Sequence, residues 1–456
     1  WKTQNEVKPY MSVFLPNVYV DGIALSGLTW QEGSQKVWEQ ANAKENSWYV
    51  RLKNSSGQYQ DITASMLGIS FDPSAALEEA WAIGHATDAS GKKDIFELQQ
   101  DIAAAKNTTY SFTSAQQSAN TAPIDEILTT LQNVAYKAPQ DAAMLSFNPD
   151  DTSNPFTFQQ EVYGQWLDVS AVKEQILEMV STLQSGEILL ETTLIAPSVT
   201  VAELEKNVEL RFRATTAISK NSTEDRTNNI RVAFERINGT ILQDNKTFSF
   251  NTAVGRREAG NGYYPAIEYA YGNEVMGIGG GVCQASTTVY LAAIQAGLKI
   301  NKREAHSNPV NYTEMGMDAT VNSTRGHEVD FTFTNNTGSP IYISAHVISS
   351  SSNKKNLMCE VRIYGKSLEN VSYQLVSETV EVLPKPEEPV LVKDEDGENV
   401  VYEDETKLRS KGRDGYVVEA YLITFTDGVE TDRTRVSRDT YAARADRYWV
   451  GVTPRY

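Results

Sequence analysis

The sequence predicts an α+β multidomain protein: two small α+β modules, a mixed α+β domain built around a central cysteine-bearing helix, and a β-rich C-terminal domain. Three observations predict it. At 456 residues the chain exceeds what one hydrophobic core organises, and length alone suggests about three or four domains. The first half mixes short strand-like runs with helical runs separated by turn residues, whereas the end of the chain alternates apolar and polar residues between glycine turns. These changes of pattern divide the chain into 1–110, 111–205, 206–368 and 369–456.

In the first module, VYVDGIALSGLTWQEGSQKVWEQ reads as a strand, a turn at Gly22 and Gly27, and a helix capped by Thr29 with Glu32 at its third position. WYVRLKN and GQYQDITA form a hairpin around Ser55, Ser56 and Gly57, and Asp72-Pro73 starts a further helix. The second module repeats this order. Asp61-Ile62-Thr63 followed by Ala75-Ala76-Leu77 aligns with Glu161-Val162-Tyr163 followed by Val172-Lys173-Glu174, which suggests an internal duplication. Between them, GKKDIFELQQDIAAAKNTTYSFTSAQQSANT is expected to begin as a helix and end as a linker.

In the third domain, GIGGGVCQASTTVYLAAIQAG runs from Gly277 to Gly297. Gly279, Gly280 and Gly281 lead through Val282 to Cys283, and Val289, Ala292, Ala293 and Ala296 recur at helical spacing. A thiol is thereby expected in the first turn of a buried helix, where unpaired amides and the helix dipole favour an anion. A thiolate is such an anion, so Cys283 is a candidate nucleophile. The alternative is a packed core thiol. A phosphate-binding loop ranks below both, since the glycines lack a following Lys-Ser/Thr and no dinucleotide fingerprint appears.

The bulk properties narrow the function. With 41 basic and 59 acidic residues the formal charge is -18, which argues against nucleic acid and anionic lipid as partners. Only two cysteines occur, so no disulfide framework is expected; Cys359, in the alternating run LMCEVRIYG, reads as a core residue. No apolar run reaches bilayer length. The chain begins at Trp1 rather than Met, and an N-terminal anchor or signal ahead of it is the expected membrane link. No cofactor and no metal are expected, because no metal-ligand cluster is visible.

Cys283 needs a base. Of the four histidines, His85 follows a helix, His327 sits beside Glu328 at a strand start and His346 lies in an apolar strand. His306, in EAHSNPV, follows the short run LKINKRE that leaves the cysteine helix, and a strand returning along that helix would bring it to the helix start. The imidazole needs an orienting acceptor, with Asp318 in GMDATV first and Glu304 and Asn308 behind it. Backbone amides at Gly281, Val282, Cys283 and Gln284 are the candidate oxyanion donors. Ser286, one turn beyond Cys283, either lines the pocket or bonds its own helix.

The first two modules, through VYVDGIALSGLTWQEG and APQDAAMLSF, resemble the peptidoglycan-binding domain found ahead of VanW domains in bacterial surface proteins. Trp30, Trp48, Tyr49, Trp81 and Trp166 would stack on sugar there or serve as core. The stretches ATTAISKNSTEDRTNNIRVAFERINGTILQDNKTFSF, GGGVCQASTTVYLAAIQAGLKINKREAHSNPVNYTEMGMDATV and DFTFTNNTGSPIYISAHV resemble a VanW domain from end to end. The run TKLRSKGRDGYVVEAYLITFTDGVETDRTRVSRDTYAARADRYWVGV, which follows a Pro- and acid-rich connector, resembles a G5 domain.

The resemblance implies an extracytoplasmic cell-wall protein whose partners are peptidoglycan stem peptides and glycan strands, and an L,D-transpeptidase working through a cysteine thioester with His306 as base and then acid. A Cys/His peptidoglycan hydrolase and a non-catalytic peptidoglycan-binding surface protein are the alternatives. Stem peptides carry carboxylates, so Arg256 and Arg257 are expected to clamp them, with Tyr263 and Tyr264 shaping the groove and Arg226 or Arg231 as substitutes.

Overall fold

The computed structural model describes residues 2–87, 91, 93–270, 273–350 and 356–455. They form a mixed α+β fold in two compact units, Trp1–Gln140 with Val162–Pro197, and Asp141–Glu161 with Ser198–Tyr456.

In the first unit Thr29 and Glu32 close a reciprocal capping box on the helix Trp30–Ser47, satisfying amides that the helix itself leaves unpaired. The strands Tyr49–Asn54 and Tyr59–Thr63 pair antiparallel across the Gly57 turn. A third strand, Gly186–Leu190, joins Tyr49–Asn54 in parallel, with Ile188 opposite Leu52. Residues from the stretches 1–110 and 111–205 are therefore interleaved. One core gathers Phe14, Leu15, Val20 and Val37 with Leu77 and Ile102, and the other gathers Leu52, Ile62 and Leu67 with Ile124, Ile176 and Ile188.

The expected linker after the helix Ile95–Ala105 is corrected here. Tyr110–Phe112 pairs in parallel with Val18–Val20, and Ala115–Gln116 pairs with Phe71–Asp72. Such pairing satisfies the backbone of two runs too short to stand out from their polar surroundings, and Tyr110 and Phe112 pack against the first of the two cores. Trp48 is buried, while Trp81 packs edge-on against Phe14 and stacks on His85 at 3.9 Å, so both serve as packing residues.

The second unit is organised by an antiparallel sheet in the order Glu209–Ala217, Leu357–Gly365, Ile341–Ser349, Thr240–Leu242. The helices Glu224–Ile237 and Val282–Gln295 pack against it. Every residue of the latter from Gln284 to Ile294 is buried, as expected of a helix enclosed on all sides. A small sheet of Thr247–Ser249, Thr332–Thr334 and Lys299–Lys302 lines its far side, where Phe331 packs edge-on against Tyr290 and Phe248 stacks on Phe333 at 4.9 Å. The long strands Val371–Leu383, Gly415–Thr426 and Val429–Tyr441 form the C-terminal sheet, whose Leu375 and Ala420 enter the same core. A Cβ at Gly297 would lie 2.6 Å from the Tyr373 ring, a measure of how closely these strands approach the helix end.

Truncating the fully buried Phe331 to alanine removes an aromatic contact to both Tyr290 and Phe333. Denaturant unfolding should register a loss of about 3–5 kcal/mol in the second unit.

Candidate active site

The site begins at the glycine turn. Gly279 and Gly281 have φ of +94° and +102°, a region that disfavours a Cβ, and a Cβ at Gly280 would lie 2.7 Å from the carbonyl oxygens of Ala266 and Ile267. Buried Asn229 fixes the turn from the neighbouring helix: its Nδ2 donates to the carbonyls of Gly280 at 3.0 Å and Tyr264 at 2.9 Å, and its Oδ1 accepts from the Tyr264 amide. Gln284, also buried, donates to the Ala217 carbonyl and accepts from Arg226 Nη2 at 3.1 Å. The helix start is thus held on both sides of Cys283, whose own side chain is only half-buried.

Cys283 Sγ lies 3.4 Å from the Val321 carbonyl oxygen and 3.7 Å from Thr320 Oγ1, and it hydrogen-bonds His306. The strand Lys299–Lys302 returns alongside the cysteine helix and delivers His306 to its start. The His306 backbone amide and Nδ1 both meet Asp318 Oδ2 at 2.6 Å. An ionised carboxylate only accepts, so Nδ1 carries a proton and Nε2 is the nitrogen left for the thiol. Asp318 is fully buried; its Oδ1 accepts from the Tyr441 hydroxyl at 2.6 Å and lies 3.5 Å from Arg303 Nη2.

The electrostatics follow from these contacts. Burial pushes the Cys283 thiol up, but the hydrogen bond and charge of His306, helped by the Val321 backbone and Thr320, outweigh it and bring the thiol to about 7. Burial likewise disfavours the imidazolium, yet Asp318 and Cys283 together raise His306 to about 9. Asp318, despite burial, is held below the usual carboxylate range by His306 and Tyr441. Between those limits a thiolate faces an imidazolium, the arrangement needed for nucleophilic attack followed by proton donation. Cys359 is the contrast: it is enclosed in its strand, and burial pushes it to about 12.

The other expected site residues distribute unevenly. Arg257 Nη1 donates to Asn251 Oδ1 at 2.7 Å, its Nη2 is buried with no hydrogen-bond partner among the described residues, and its charge reaches Cys283. Arg256 is exposed, 3.4 Å from Glu258, and Arg231 pairs with Glu224. Tyr264 is 51% exposed, but Tyr263 is corrected from groove wall to core: it is fully buried, because the turn at Gly262 directs it between Arg236 and the main cluster. Ser286 Oγ donates to the Ala319 carbonyl at 2.6 Å and its neighbour Cys283's carbonyl at 3.0 Å, tying the helix to the loop. Of the four candidate oxyanion amides, Val282 donates to Gly279 and Gln284 to Gly281, so Gly281 and Cys283 remain as candidates. Glu304 faces Lys302, and Asn308 accepts from Arg413.

Thr320, Tyr312 and Tyr441 were not anticipated. Thr320 follows Asp318 closely enough to have been noted, whereas Tyr312, which hydrogen-bonds Thr287, and Tyr441 carry no local signal. Among the described residues no cluster of three His, Cys, Asp or Glu has a placement that could hold a metal ion, and no helix is long and apolar enough to cross a membrane.

Alkylation by iodoacetamide should label Cys283 and spare Cys359 in the folded protein, with a rate that rises through pH 7 as the thiol ionises. Any acyl transfer should fall again above pH 9, where His306 loses the proton it must donate, giving a bell-shaped profile. A Cys283 inflection at the ordinary thiol value would contradict this geometry.

Residues 225–358, which contain Cys283, His306 and Asp318, match the family described as VanW like protein, and residues 376–450 match the G5 domain. YoaR, an uncharacterized protein of Bacillus subtilis (strain 168), is 40% identical over 124 residues, an alignment that covers 27% of this chain and 40% of YoaR. Two solved G5 structures are also similar. The IgA1 protease G5 domain is 20% identical, covering 19% of this chain and 94% of its own at a TM-score of 0.13, and HP0197-G5 is 18% identical, covering 17% and 97% at 0.10. The chain therefore carries a VanW-like domain, in which the cysteine, histidine and aspartate converge, followed by a C-terminal G5 domain.

Proposed function

We propose that the protein is an extracytoplasmic, cell-wall-associated L,D-transpeptidase that acts on peptidoglycan stem peptides through a thioester at Cys283. The observation that carries this reading is the thiolate–imidazolium pair of Cys283 and His306, oriented by buried Asp318 at a glycine-led helix start. The thiolate attacks the carbonyl of the diamino acid in a donor tetrapeptide. The amides of Gly281 and Cys283 receive the oxyanion, and His306 Nε2 gives its proton to the departing amine of the terminal D-alanine. An acceptor amine from a neighbouring stem then attacks the thioester, His306 takes up its proton, and the thiolate is released.

Arg257 supports the choice of substrate. A guanidinium whose buried Nη2 has no hydrogen-bond partner among the described residues, and whose charge acts on Cys283, suits the carboxylate of a stem peptide, which would complete its hydrogen bonding. The N-terminal modules, by their resemblance to peptidoglycan-binding domains, would retain the protein on the wall. With water as acceptor the same triad would be a hydrolase, and with Cys283 inert the protein would be a wall-binding module.

Intact mass after incubation with tetrapeptide muropeptides separates these. The expected result is an adduct on Cys283 equal to the donor less D-alanine, absent in Cys283→Ala, together with new cross-linked dimers. Shortened monomers without dimers would mean a hydrolase, and fragments bound but unchanged by both proteins would mean a binding module. Arg257→Gln should raise KM about tenfold or more with a smaller effect on kcat, as expected for a lost charge-assisted hydrogen bond to substrate.

A further inference from the structure

The residues that hold the triad in place do not all come from the VanW-like domain. The loop from Arg303 to Ala319 carries both His306 and Asp318, and three contacts fasten it to the C-terminal β module. Tyr441, the last residue of the strand Val429–Tyr441, is fully buried; its hydroxyl accepts from the Gly316 amide at 2.6 Å and donates to Asp318 Oδ1 at 2.6 Å. Asp439, two residues earlier on the same face, meets Arg303 Nη1 at 2.5 Å. Arg303 in turn donates to the carbonyls of Asp318 and Gly316, and both it and Asp439 are nearly enclosed. Arg413, on the approach to the strand Gly415–Thr426, donates to Asn308, two residues beyond His306.

We propose that Tyr441 is a positioning residue for the Cys283 centre, and that the G5 domain is a built-in part of that centre rather than a spacer beyond it. The hydroxyl occupies one oxygen of the Asp318 carboxylate and leaves the other turned to His306 Nδ1. By accepting from Gly316 it also pins the loop that sets the distance from His306 to the thiol. Hydrophobic packing alone would not need this hydroxyl: Leu375 and Ala420 already join the C-terminal strands to the core, and a phenylalanine would fill the same volume. The proposal rests on Cys283 being the nucleophile, but not on the identity of the substrate.

The test is the pH dependence of Cys283 alkylation by iodoacetamide in the full chain, measured for the wild type, Tyr441→Phe, Arg413→Gln and Asp318→Asn, with thermal unfolding recorded for each. Besides Tyr441 itself, the charged and titratable groups facing the triad are Arg257, Tyr312, Arg303, Asp439, Tyr290 and Arg226, and none of these is altered in the variants. Tyr441→Phe should move the inflection upward by about one pH unit, so that alkylation at pH 7 slows about fivefold, in the direction of Asp318→Asn. Arg413→Gln, which cuts another of the three tethers at a less buried position, should move it the same way by less, and it decides the matter if Tyr441→Phe does not fold.

Profiles of the folded variants that superimpose on the wild type, with only the melting temperature changed, would overturn the proposal. So would a downward shift, which would mean that the hydroxyl acts by drawing charge from Asp318 rather than by placing it. Because alkylation needs no peptidoglycan, a wild type that forms no muropeptide adduct would refute the transpeptidase reading while leaving this result to stand or fall alone.

Discussion

A carboxylate with no solvent exposure is the constraint on which the rest of the candidate centre depends. Asp318 is ionised in an interior where an unpaired charge is strongly destabilising, so the chain must surround it with donors. Two come from His306, one from Tyr441, and Arg303 stands near. Each of these partners is fixed in return. The imidazole adopts one tautomer, the loop between Arg303 and Ala319 adopts one path, and a tyrosine 123 residues further along the chain is drawn to the same point. Satisfying one buried charge thus orients an imidazole toward a thiol.

The thiol sits where the protein is otherwise most closed. Its helix is buried along nearly its whole length, and the hydroxyls of Ser286, Thr287 and Thr288 spend themselves on neighbouring backbone and on Thr216. At the helix entrance Asn229, Gln284 and Arg226 hold the glycine turn from behind. What remains accessible in that first turn is Cys283 itself. A rigid helix that presents one half-buried thiol, with a protonated imidazole beside it, loses little reorganisation energy when charge develops there. Burial raises both thiols, but His306 outweighs it at Cys283, whereas the charge of Arg226 and the hydroxyls of Thr216 and Thr288 do not at Cys359.

Much of this was legible because the signals are local. The capping box at Thr29 and Glu32, the hairpin at Gly57 and the helix from Val282 each follow from spacing within a few residues. His306 was reachable by elimination among four histidines, whereas Asp318 was only the first of three acceptors, with Glu304 and Asn308, and it took the fold to bring it to Nδ1. The strand Tyr110–Phe112 was not legible, since three alternating residues within a polar stretch are too short a pattern and become a strand only when a partner such as Val18–Val20 supplies its hydrogen bonds. Tyr263 and Tyr264 are adjacent and chemically alike, yet after the turn at Gly262 one enters the core and the other reaches solvent.

The sequence by itself determined the elements and the chemistry available to them: a cysteine at a glycine-led helix start, a histidine on the segment leaving that helix, a carboxylate beyond it, and a β-rich end. Only the tertiary structure decided which carboxylate oxygen faces the imidazole, that the thiol is depressed while its fellow is raised, and that the C-terminal strands reach the same site. The physical reason is that periodicity and capping act over one or two turns of chain, whereas burial, charge pairing and hydrogen-bond completion depend on what the folded chain brings within about 3 Å, whatever the separation in sequence.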